Sequence, residues 1–181
     1  MWTFVKRLFK LLFLPGDGWA DISASKTPFE AIAMRGYLPL TGIVALSEFV
    51  PIFYVHDLTF ISALCNAIAM GGGMFASLYG ARIFLDVVLS RYVDRKINKT
   101  KTANVALYML GLDCIYLIFA NLLPGTLTFL LFLPLLSVMV LFKGTAYMCV
   151  GEDRAMNFLL LAFTGVVILP AIICWLLTLI I

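Results

Sequence analysis

The segment LTFISALCNAIAMGGGMFASLYGARIFLDVVLSRYVDRKINKTK, residues 58–101, holds the reading of the whole chain. Its apolar run has a triple glycine at the centre (Gly71, Gly72, Gly73). It then passes Arg82 and Asp86 and ends in a basic tail. The run is long enough to cross about 30 Å of hydrocarbon, and the tail gives the direction of crossing. A straight helix from Leu58 to Val93 would measure roughly 54 Å. The segment is therefore expected to bend near the glycines or to project past Arg82.

Composition extends this to the rest. Of 181 residues, 63% are hydrophobic and 13% charged, with a mean hydropathy of +1.05. A soluble domain is about half apolar and about a quarter charged. The apolar residues also come in continuous runs, such as LLFLPLLSVMVLF and NFLLLAFTGVVILPAIICWLL, and not in the short alternating segments of a transmembrane β-barrel. The predicted class is all-α: a polytopic membrane bundle of five transmembrane helices with an N-terminal amphipathic interfacial helix. Residues 1–36 form the cytoplasmic or interfacial segment and 37–181 the transmembrane domain. Cys65, Cys114, Cys149 and Cys174 form no CxxC pair and read as free thiols in apolar surroundings. Cations are not interleaved with aromatics on a polar surface, so nucleic acid is not an expected partner.

Taken in order, MWTFVKRLFKLLFL places Thr3, Lys6, Arg7 and Lys10 on one arc of a helix. Trp2, Phe4, Val5, Leu8, Phe9 and Leu12 lie on the other. That is the pattern of a helix lying on anionic headgroups. Pro15-Gly16-Asp17-Gly18 is expected to break it. Trp19 is expected at the interface, its ring in the acyl boundary and its N–H towards water. Thr27-Pro28-Phe29-Glu30 reads as a helix start with Thr27 as the cap. Five spans follow, at roughly 37–55, 58–93, 103–123, 126–148 and 155–181. Pro124-Gly125 forms a tight turn between the third and the fourth.

All thirteen Lys and Arg residues fall before the first span, near or after the end of the second, or near or after the end of the fourth. The positive-inside rule then puts the N-terminus in the cytoplasm and Ile181 on the opposite side.

This layout resembles the Ypt/Rab-interacting-protein (Yip) domain family, whose members carry a cytoplasmic N-terminal segment and five spans. Pro15-x-x-x-Trp19-x-x-Ile22 is similar to a motif that prokaryotic members show before the first span. ALYMLGLDCIYLIFANLLPG resembles the third span and its Pro-containing outer turn. LFKGTAYMCVG, with Lys143 and Met148 in place of commoner apolar or aromatic residues, resembles the aromatic, glycine-bearing end of the fourth. The resemblance implies an integral membrane protein of undefined activity. Rab binding resides in long N-terminal regions of eukaryotic relatives and is not carried over to a segment this short.

The polar residues inside the spans are the candidate sites. Glu48 in span one and Asn66 in span two lie at equal distances from the turn near residue 57. They are expected to share an interhelical hydrogen bond or a cation site that His56 and Asp57 could extend. Asp113 in span three and Lys143 in span four are candidates for an ion pair, although a difference in depth of roughly 12 Å opposes it. Arg82 and Asp86 have the i, i+4 spacing of a local ion pair. Lys6, Arg7, Lys10, Trp19, Arg82, Arg91, Arg95 and Lys96 are the candidate lipid and interface contacts. Gly72, Gly73, Ala76 and Gly80 form small-residue tracks for close helix packing. No catalytic constellation, cofactor motif or metal-ligand set is present, so an enzyme is not expected.

Two functions remain. The first is a Yip-type membrane protein acting through lipid or protein contacts, as a scaffold, membrane organiser or trafficking-like factor. Its partners are the bilayer, anionic headgroups, and a membrane protein or a second copy of the chain. The alternative is a small transporter or channel subunit with Glu48, Asn66 and Asp113 along its path.

Overall fold

The computed structural model describes residues 1–25, 27–92, 99–123, 133–148 and 150–180. Lys26, Arg95, Lys96 and the Pro124-Gly125 turn lie outside them. The described residues form helices and no strand. They are α1 (Trp2–Phe13), α2 (Pro15–Ala24), α3 (Phe29–Ile32), α4 (Leu38–Ser47), α5 (Phe60–Tyr92), α6 (Lys99–Leu122), α7 (Leu133–Met148), α8 (Glu152–Phe163) and α9 (Leu169–Ile180). A π turn (Ala33–Tyr37) joins α3 to α4, and another (Thr164–Ile168) joins α8 to α9. Four helical stretches are long and apolar enough to cross a membrane: Phe29–Phe53, Phe60–Val88, Thr100–Leu122 and Asp153–Ile180. The apolar stretch Leu135–Met148 is shorter.

Helix α5 is unbroken for 33 residues and passes Arg82 to reach Tyr92, as its length required. One of its faces turns outward, with Ile61, Leu64, Ile68, Phe75, Tyr79, Ile83 and Val87 all exposed. The opposite face packs on α9. Gly73 lies so close that a Cβ there would stand 2.6 Å from Cys174 Sγ, so only glycine admits this approach. Ala69, Gly73 and Ser77 are buried, and Gly80 meets Ile173 and Leu169. Gly72 and Ala76 are exposed, and a Cβ at Gly72 would meet nothing. Of the two small-residue tracks, the one through Gly73 carries the packing, and the expectation for Gly72 and Ala76 is corrected.

Helix α6 is the centre. Residues 102–112 are buried without interruption, because α1, α3, α4, α5 and α7 all pack around it. Contacts fix the sense of its neighbours. Lys101, near the start of α6, donates to the Tyr147 carbonyl at the end of α7 (3.0 Å). Asn121, near the end of α6, meets Glu48 at the end of α4. Helices α4 and α7 therefore bring their C-terminal ends to opposite ends of α6, α4 running parallel to it and α7 antiparallel. Arg7, Arg35, Arg82 and Lys101 consequently gather at one end of the bundle.

The N-terminal segment is not a detached surface piece. Between α1 and α2 the helix breaks at the single residue Leu14, and Pro15 restarts it as the first residue of α2, where its fixed φ and missing N–H cost nothing. The segment expected to break the helix thus opens a second helix, which packs on α7. Thr27 does not cap α3. Its hydroxyl pairs with Ser25, and Pro28 takes the cap position.

Candidate functional site

Two places combine a cavity with charged side chains, one at the basic end and one between α5, α6 and α9.

At the basic end, α1 lays Phe4, Leu8 and Leu11 against the bundle, all three buried. Gly111 of α6 makes room, since a Cβ there would come within 2.9 Å of Phe4. Trp2, Phe9 and Phe13 point away and are exposed. The apolar arc of α1 is thus divided between protein and surroundings, which corrects the expectation of one face given wholly to lipid. A helix of this length is marginal alone in water, and docking supplies its stability. The cations of α1 are divided too. Lys6 lies over the Trp2 ring (5.4 Å), Lys10 pairs with Asp21 of α2, and Arg7 turns inward to donate to the Tyr108 hydroxyl (3.2 Å).

Trp19 departs furthest from expectation. It is 3% exposed, and its indole N–H donates to the Val140 carbonyl (2.8 Å) and not to water. Gly144 permits this: a Cβ there would stand 3.2 Å from the indole. Tyr147 stacks on the same ring at 5.2 Å, and Lys101 covers Tyr147 from 5.1 Å. The Pro15–Ile22 motif and the GTAY motif at the end of α7 therefore meet in space.

Between α1, α3, the first π turn and α6 lies a cavity of about 260 Å³. Its walls include Arg7, Arg35, Thr3, Thr27 and Tyr108 and, among the described residues, no carboxylate. Arg35 sits in the π turn, a helical irregularity common at functional sites. In the sequence it was one positive flank residue among many. Only the fold sets it beside Arg7. Arg82 lies over the Phe29 ring at 5.1 Å and forms no ion pair with Asp86, whose Oδ1 is buried without a hydrogen bond. Arg91 is exposed at the end of α5.

Compared with known proteins, the chain matches no family model, no curated protein and no solved structure.

The intramembrane candidates separate. Glu48 does not pair with Asn66. It accepts from Asn121 Nδ2 (2.7 Å), which also donates to Ser47 (3.0 Å). Tyr54 donates to the Asn121 carbonyl (2.8 Å) and completes a knot between the ends of α4 and α6. Asn121 is the partner that sequence reasoning missed, because α4 touches α6 as well as α5. Lys143 is exposed on α7 and makes no ion pair with Asp113. The depth difference between the two residues explains this. Asp113 instead lines a cleft of about 290 Å³ with Met70, Met74, Tyr116, Trp175 and Thr178 among its walls. Neither Glu48 nor Asn66 lines it. Among the described residues, no group of three or more His, Cys, Asp or Glu is placed to hold a metal ion.

Proposed function

We propose that the chain is a non-catalytic integral membrane protein of the Yip type, acting through lipid and protein contacts at its basic end. In this reading α7 is the fourth of five spans, the N-terminus is cytoplasmic, and the membrane is a prokaryotic inner membrane. Helix α1 rests at the inner boundary, its Trp2, Phe9 and Phe13 facing the acyl region. The observation that carries the proposal is the cavity walled by Arg7 and Arg35 with no carboxylate among the described residues. Two guanidinium groups with hydroxyls beside them suit the phosphate of an anionic headgroup, which accepts forked, charge-assisted hydrogen bonds. The contact between the two motifs at Trp19 and Gly144 supports the family reading. The gathering of cations at one end supports the sidedness.

Native mass spectrometry of delipidated protein, supplied with equal phosphatidylglycerol and phosphatidylcholine, tests the site. Phosphatidylglycerol is expected to be retained preferentially, and the preference to disappear when Arg7→Gln and Arg35→Gln are combined. Equal retention of both lipids by the unaltered protein would remove the proposal.

A further inference from the structure

The cleft between α5, α6 and α9 holds a carboxyl group that no partner answers among the described residues. Asp113 is half-buried, its Oδ2 is fully enclosed, and it makes no hydrogen bond or ion pair. Among the described residues, no Lys, Arg or His lines the cleft. A polar group in such surroundings is costly without a partner, and a carboxyl among membrane helices ordinarily faces a cation or a wet cavity. The rest of the wall is soft and aromatic. Met70 and Met74 come from α5, Tyr116 from α6, and Trp175 from α9. Trp175 is 60% exposed, so the cleft opens at the outer surface of the bundle, where a ligand dissolved in the bilayer can reach it.

From these features we infer a binding site for an apolar organic cation: a quaternary or protonated tertiary ammonium carried on an aromatic or alkyl body. Asp113 supplies the counter-charge. Trp175 and Tyr116 offer aromatic faces, which attract ammonium groups when water is excluded. The methionines adapt to the apolar body. At about 290 Å³ the cleft suits a small ligand. This site is separate from the headgroup cavity at the basic end, and its test is independent of that reading.

The test is equilibrium dialysis of labelled benzyltrimethylammonium against the purified full chain in a neutral maltoside detergent. Its uncharged isostere, neopentylbenzene, runs in parallel. Saturable binding of the ammonium is expected, weakened by about tenfold or more in Asp113→Asn, while the isostere binds both proteins alike. Ala171→Trp, which fills the cleft from an exposed position, is expected to abolish binding of both compounds. It serves as the second variant should Asp113→Asn not yield folded protein. Equal ammonium binding by the unaltered chain and Asp113→Asn overturns the inference. So does the absence of saturable binding, or ammonium binding that survives Ala171→Trp.

Discussion

Glu48 and Asp113 are both carboxyl residues within the helical bundle, and the protein treats them in opposite ways. Glu48 closes the last turn of α4 and meets an amide that also holds Ser47, with Tyr54 securing that amide's backbone. Asp113 lies inside α6, faces an apolar cleft and has no partner. A satisfied polar knot ties two helix ends together. An unsatisfied group is the kind of local conflict that proteins retain where a ligand uses it. The difference separates a carboxyl that ties the fold together from one proposed to meet a ligand, and stability measurements test that contrast.

The largest expected effect is at the knot. Glu48→Ala deprives Asn121 of its stronger partner, at a cost of about 1–3 kcal/mol, read as a lowered thermal midpoint in detergent. An unchanged midpoint would mean that water replaces the carboxylate without loss. Asp113→Asn should behave in the opposite sense. Replacing a buried carboxyl that has no partner among the described residues should leave the midpoint unchanged or raise stability by up to about 1 kcal/mol. A fall as large as that of Glu48→Ala would reveal a structural role and erase the contrast. The smallest effect belongs to Asn66→Ala, expected within about 0.5 kcal/mol of the unaltered protein. A large fall there would reinstate the pairing with Glu48 that spacing alone suggested.

Asn66 shows why that spacing misled. Equal distance from a turn places two residues at one depth, but a hydrogen bond also needs the right rotation about each helix axis. Helix α4 rotates Glu48 towards α6, where Asn121 waits. The pair of glycine tracks makes the same point within one helix. Gly72 and Gly73 are adjacent and chemically identical, yet one is exposed and the other touches Cys174. Trp19 is the third case. A tryptophan beside a membrane ordinarily reads as an interface anchor, and only the neighbouring Gly144, distant in sequence, turns it into a buried wedge.

Composition and run length alone were enough for the all-α class, for helices of membrane length, for a second apolar segment that had either to bend or to pass Arg82, and for the placing of cations along the chain; the fold chose the passage. These are local properties. A helix satisfies its own backbone groups, so its existence and length depend on its own residues. The fold alone decided which face of each helix is inward, that α6 is wrapped on every side over residues 102–112, that Arg35 stands beside Arg7, and that Asp113 faces a cleft. The physical reason is the solvent. In hydrocarbon, the inner and outer faces of a helix are both apolar, so hydrophobic periodicity does not mark the buried side. Shape, close approach and a few polar contacts between distant residues choose it instead.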